Sequence, residues 1–196
     1  MNSLLISYIL GLGVATVMTL AVTVMTLRHR DRPHALSLGL TMLAVAEWCV
    51  FYLLEATATT ISAKALWSQF AYIGTQTAVP LLLTFAAQMT QNEHLLKRPV
   101  RIGMWSVPMV SLVLVFTNGQ HGLIWRDLYW ADAAQRILVY EHGAWFWVLV
   151  SHIYLMLTAA SVLMIRTALH MRRVYRRQSV LILIAIAIPW GINAVY

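Results

Sequence analysis

The stretch ALSLGLTMLAVAEWCVFYLLEAT, residues 35–57, holds only two charged side chains, Glu47 and Glu55. A transmembrane helix needs about 20 predominantly apolar residues, so this segment reads as a membrane span rather than a soluble core helix. Five more stretches read alike: Ser3–Leu27, Ala65–Thr90, Ile102–Asn118, Ala144–Ile165 and Ser179–Tyr196. The expected fold is therefore all-α, one domain over residues 1–196 built as a polytopic transmembrane helix bundle. The composition agrees, with 60% hydrophobic and 11% charged residues and a mean hydropathy of +0.71, the signature of the membrane class. The first span is too long for a signal-peptide core, lacks a positive leader and meets arginines where a cleavage motif would stand, so it reads as a retained helix. The one cysteine, Cys49, excludes an internal disulfide and any Cys-based metal site.

The net charge of +7 suits nucleic acid, but its distribution points elsewhere. Eleven of the 14 Lys and Arg residues fall in segments 28–34, 91–101 and 166–178, leaving Lys64, Arg126 and Arg136 for the alternate loops. That asymmetry predicts a cell (inner) membrane protein with its N-terminus outside and the basic loops cytoplasmic. Those loops suit anionic lipid headgroups of the bilayer better than nucleic acid. Six spans from an outside N-terminus end outside at Tyr196. A seventh helix would return the chain to the cytoplasm, so the sequence reads as a fragment of something longer. The basic run Arg166–Gln178 is expected to extend the fifth helix beyond the membrane.

The largest segment between spans, Gly119–Gly143, is rich in aromatics: Trp125, Tyr129, Trp130 and Tyr140. Ile137–Tyr140 has strand character, which predicts a short hairpin over the mouth of the bundle. Its aromatics fit either a lid or an interfacial belt. No internal repeat is evident, which argues against transporter folds assembled from repeats.

Polar residues inside the spans are the candidate functional groups. Glu47 lies twelve residues into its span, about 18 Å at 1.5 Å per residue, near the midplane. A carboxyl there costs roughly 2.5–3.5 kcal/mol on insertion scales, so it should face the interior, as a ligand contact or proton-sensitive switch, or as a protonated, hydrogen-bonded structural group. Glu55 continues a stripe with Trp48 and Tyr52 and could pair with Lys64. Gln69, Tyr72, Gln76, Thr84 and Gln88 form one polar face on the third span, with Pro80 in the same row. That face is either interhelical glue or a cavity wall. The fifth span opens with Trp145, Phe146 and Trp147 and carries His152 about 12 Å below the outer edge. The sixth ends with Pro189, Trp190 and Asn193. His121, His142 and His152 lack metal-ligand spacing, so no metal is expected.

There is no Walker A loop, HExxH or GxSxG motif. The only lysines, Lys64 and Lys97, lie at loops, so none of these six spans offers a Schiff-base lysine. No catalytic residues and no cofactor are expected.

Several runs, taken together, are specific. They include Trp48…Leu54-Glu55…Lys64…Trp67…Tyr72-Ile73-Gly74…Pro80 and Pro108…Thr117-Asn118-Gly119-Gln120-His121…Trp125. Gly143-Ala144-Trp145-Phe146-Trp147…Tyr154, Tyr175-Arg176-Arg177-Gln178 and Ile188-Pro189-Trp190…Asn193…Tyr196 complete the set. In these the chain resembles the seven-helix N-terminal sensor region of bacterial and archaeal histidine kinases, over almost its whole length. The resemblance implies a signal-input domain whose seventh helix leads into a cytoplasmic PAS, kinase or cyclase output domain, with no enzymatic activity in this segment. This sequence departs from the pattern in lacking that last helix and any output module.

The sequence thus reads as a sensor that binds an unidentified small or lipophilic ligand in the outer half of the bundle. The residues expected to line the site are Glu47, Trp48, Tyr52, Glu55, Tyr72, Gln76, His121, Trp145, His152, Trp190 and Asn193. A small-molecule or ion transporter or channel is the rival reading, since Thr84 and Gln88 carry the polar stripe deeper. A scaffold that forms a homodimer through these helices is a third.

Overall fold

The computed structural model describes residues 3–32, 34–132 and 137–170. Five long helices dominate: α1 (Ser3–Arg28), α2 (Ala35–Thr57), α3 (Ile61–Met89), α4 (Arg98–Phe116) and α5 (Ala144–His170). All five are long and apolar enough to cross a membrane. Between α4 and α5 stands a hairpin of β1 (Trp125–Asp132) and β2 (Ile137–His142). The expected all-α membrane bundle is the fold found. The sixth expected span, Ser179–Tyr196, lies outside the described residues.

Two helix starts differ from expectation, each for a local reason. α3 begins at Ile61, not Ala65, because Thr60 Oγ1 accepts the Ala63 amide at 3.2 Å and caps the first turn. Lys64 therefore sits within the helix instead of in a loop. α4 begins at Arg98, not Ile102, with Pro99 in the first turn, where a missing N–H removes no helical bond. At its far end α5 continues past Ile165 to His170; the rest of the expected extension, to Gln178, lies outside the described residues.

Small residues let the helices approach. Gly39 of α2 packs on α1 so closely that a Cβ would meet Thr26 Oγ1 at 2.8 Å. Gly74 of α3 leaves no room for a Cβ between the Ala44 carbonyl, the Trp48 amide and the Glu47 carboxyl of α2. Without a hydrophobic force between helices in lipid, such close backbone packing and interhelical hydrogen bonds supply the attraction. α2 and α3 are also tied at both ends. Ser37 Oγ donates to Gln88 Oε1 at 2.6 Å near one, and Lys64 Nζ meets Glu55 Oε1 at 3.0 Å near the other. On the arginine-rich side, Leu83, Phe85, Ala86 and Met89 of α3 join Met104 of α4 and Met156, Ala160 and Met164 of α5 in one core. On α1, Leu10, Val14, Val17, Met18 and Met25 stay exposed, as a lipid-facing helix requires.

The hairpin is antiparallel and pairs Leu128 with Tyr140 and Trp130 with Leu138, with irregularities between Trp125 and Asp127 and between Trp130 and Asp132. Asn118 fixes its root. Its Oδ1 accepts the amides of Ile124 (2.9 Å) and Trp125 (3.1 Å), and its Nδ2 donates to the Trp125 carbonyl at 2.8 Å. Gly122 makes the turn at φ +61°, a left-handed conformation that glycine adopts without strain.

Candidate functional site

At the hairpin end, the strands lie on α2 and α3 through one polar chain and one aromatic chain. Ser68 Oγ and the Tyr140 hydroxyl are 2.7 Å apart, and Tyr140 donates onward to Glu55 Oε1 at 3.4 Å. Glu55 in turn holds Lys64, whose Nζ also donates to the Glu55 carbonyl at 2.9 Å. Lys64 is only 3% exposed and Glu55 14%, so this is a buried pair, not an ordinary interfacial one. Burial pushes the Tyr140 phenol above its usual range, and neighbouring Glu55 and Tyr52 add to that while the Ser68 bond opposes it.

The aromatic chain runs beside it. Tyr72 meets Trp125 edge-on at 5.4 Å, Trp125 meets Tyr140 at 5.2 Å, and Trp48 lies 5.8 Å from Tyr52. Trp145 joins the same packing and donates its indole N–H to Ser111 Oγ at 2.9 Å. Val115, Ile124 and Trp125 are the buried centre of this cluster. Trp125 and Tyr140 thus turn inward onto the bundle, whereas Tyr129 and Trp147 are exposed.

Of the residues the sequence singled out, Tyr72, Trp145 and Glu55 are brought to this hairpin cluster, with Trp48 and Tyr52 beside it on α2. Others are placed elsewhere. Glu47 presses its carboxyl against Gly74 at mid-helix. Gln76 is two residues further, and at 3.6 residues per turn that is about 200° around α3, so Glu47 and Gln76 occupy opposite sides of the helix. Both carboxyl oxygens of Glu47, the indole nitrogen of Trp48 and Oε1 of Gln76 are buried without a hydrogen-bond partner among the described residues. His121 is exposed and braces its own turn, bonded to Thr117 Oγ1 and to the Leu123 amide, each at 3.0 Å. His152 serves α4, with Nε2 3.3 Å from the Met104 carbonyl. Trp190 and Asn193 lie outside the described residues.

Pro108 explains the His152 contact. Lacking an N–H, it cannot serve the carbonyl four residues earlier, which is that of Met104. His152 donates in its place. The polar stripe of α3 is in part glue: Gln69 Nε2 donates to the Val115 carbonyl at 3.2 Å, and Gln88 accepts from Ser37.

Sequence reasoning missed Ser68 and undervalued Lys64 and Tyr140. Their signal was present, since Lys64, Ser68 and Tyr72 recur at four-residue spacing, but the Tyr140 hydroxyl that meets Ser68 lies on a strand some seventy residues away. At the hairpin base, the ring of His142 stacks on Phe146 at 3.6 Å, and burial lowers its pKa below the ordinary 6.5. No group of three or more His, Cys, Asp or Glu residues that could hold a metal ion occurs among the described residues.

A family model described as the N-terminal 7TM region of histidine kinase matches residues 10–196. No curated protein and no solved structure matches the chain.

Proposed function

The chain belongs to the family of N-terminal 7TM regions of histidine kinases, and from that membership we propose how it works as a sensor. It binds a small or lipophilic ligand in the hairpin half of the bundle and passes a helix rearrangement to a cytoplasmic output domain of the full-length protein. The hairpin end is then outside and the arginine-rich loops are cytoplasmic, by the positive-inside asymmetry.

The observation that carries this reading is the Tyr140 junction. The hairpin that bears Tyr140 joins α4 to α5, while Ser68 and Glu55, its partners, belong to α3 and α2. One side chain thus couples two helix pairs that are otherwise joined mainly by packing. A ligand that favours one arrangement of this junction shifts the balance between helix positions by its differential affinity for the two. The cluster of Trp48, Tyr52, Tyr72, Trp125 and Trp145 supplies the apolar, aromatic lining usual for small-molecule sites, with few polar groups to orient the ligand.

The test is a thermal-shift screen of the detergent-purified chain against lipophilic metabolites and amphiphiles. Ligand binding to the native state stabilises it by about 2.7 kcal/mol at a hundredfold excess over Kd. A hit abolished by Tyr72→Ala or Tyr52→Ala supports the sensor reading. Hits that ignore both substitutions, or flux of the same compounds through reconstituted vesicles, would move the reading to a transporter or channel.

A further inference from the structure

Prolines interrupt two neighbouring helices, Pro80 in α3 and Pro108 in α4, and both side chains are fully buried. Each removes the amide that would serve the carbonyl four residues earlier: Gln76 for Pro80, Met104 for Pro108. In α4 the defect is closed from outside the helix by His152. In α3 it coincides with an unpaired side-chain acceptor. Gln76 is 2% exposed, and its Nε2 makes only a 3.4 Å contact with the adjacent Thr75 Oγ1. Its Oε1 has no partner among the described residues. Turning the amide round moves the unpaired group from oxygen to nitrogen without removing it.

Gln69, two turns nearer the hairpin, is engaged by the Val115 carbonyl, and Gln88, on the other side, by Ser37. These two are glue. Gln76 stands between them with its amide oxygen unpaired, one turn below Tyr72 of the hairpin cluster. A buried polar group without a partner is destabilising, and such groups in native structures call for a cause.

We propose that Gln76, at the Pro80 break, is the polar recognition point of the sensed ligand, and that the ligand is a neutral, mainly apolar molecule bearing an O–H or N–H donor. The inference rests on the ligand-sensing reading above and names its chemistry. The ligand's donor serves Gln76 as His152 serves Met104, and its apolar body lies along Tyr72. A charged ligand does not fit this place. Lys64, the cation of α3, is three turns away and held by Glu55, and the Glu47 carboxyl is on the opposite side of α3. An ion at Gln76 would be desolvated without a counter-charge from either.

The experiment uses two matched probes, 1-decanol and its methyl ether 1-methoxydecane, which differ in the hydroxyl donor. Melting of the whole purified chain is followed against each. The expected result is that decanol half-saturates the shift at a concentration roughly fivefold lower than the ether, the equivalent of one neutral hydrogen bond. Gln76→Met should erase that difference, and Gln69→Met should keep it. If Gln76→Met does not fold, Gln76→Asn, whose amide is withdrawn by one methylene, takes its place with the same expected loss. Equal responses to the two probes, or a Gln76→Met protein that still prefers decanol, overturn the recognition role. If Tyr72→Ala abolishes the shift in that case, the ligand-sensing reading survives without it. No shift with either probe in the wild-type chain, together with no hit in the wider screen, overturns both.

Discussion

His152 Nε2 lies 3.3 Å from the carbonyl oxygen of Met104, the acceptor that Pro108 cannot serve. A histidine that looked like a candidate ligand contact is, in this fold, the patch on a proline break in a neighbouring helix. The relationship makes a sharp prediction. His152→Ala should destabilise the bundle by about 1–3 kcal/mol, the range for stranding a buried acceptor. In a Pro108→Ala background, where the backbone amide returns, the same substitution should have much less effect. A double-mutant cycle on melting measures the coupling, and additive effects would refute the pairing.

Gly74→Ala should be among the most damaging single-methyl changes in the chain. The added Cβ meets the Glu47 carboxyl, the Ala44 carbonyl and the Trp48 amide, and overpacking of this kind typically costs about 1–3 kcal/mol or more. Gly103→Ala, where nothing lies within 4 Å, is the control and should be tolerated. Folded yield and melting temperature of the two variants provide the check.

Lys64→Met should be far worse than the paired change Lys64→Met with Glu55→Gln. Removing one member of a buried pair leaves an uncompensated charge and costs about 3–5 kcal/mol, whereas replacing both is often close to neutral. Recovery of stability in the double variant is the expected outcome.

Tyr140→Phe should loosen the hairpin without unfolding the bundle. It deletes the hydroxyl that bridges Ser68 and Glu55, a loss of about 1 kcal/mol. Hydrogen exchange should quicken in β1 and β2 and remain unchanged in the buried turns of α3. Uniform acceleration in both would refute a local latch.

The pH dependence has two arms. His142 is disfavoured as a cation by burial, so its contribution is complete above its ordinary value of 6.5 and is lost as pH falls through the lowered folded value. His142→Phe, which keeps a ring on Phe146, should flatten this acid arm. Tyr140 has a raised pKa, so its contribution is complete below pH 10 and is lost as pH rises beyond it. Tyr140→Phe should flatten the alkaline arm. Melting curves taken across both ranges decide each sign.

Much of this was legible in the chain. Residues 35–57 and four of the other five apolar runs defined the spans to within a few residues, the fifth lying outside the described residues, and Ile137–Tyr140 announced a strand, because hydropathy and local propensity are properties of neighbours in sequence. The helix starts at Ile61 and Arg98 were misjudged where a Thr60 cap and a first-turn Pro99 extend α3 and α4 by four residues each. Hydropathy does not register caps.

The candidate site was only half legible, for a different reason. Helical spacing says which residues of one helix share a face but not which neighbour that face meets. The sequence by itself determined that this is a membrane bundle with a polar stripe on α3 and ionisable residues at mid-span. Only the tertiary structure decided that Lys64 is buried on Glu55, that Tyr140 returns from the hairpin to Ser68, and that His152 closes the break at Pro108. It likewise set Glu47 and Gln76 on opposite sides of α3, because each of these depends on the rotation of one helix about its axis relative to the next. That rotation is fixed by close contacts such as Gly74 against Ala44, between residues distant in the chain.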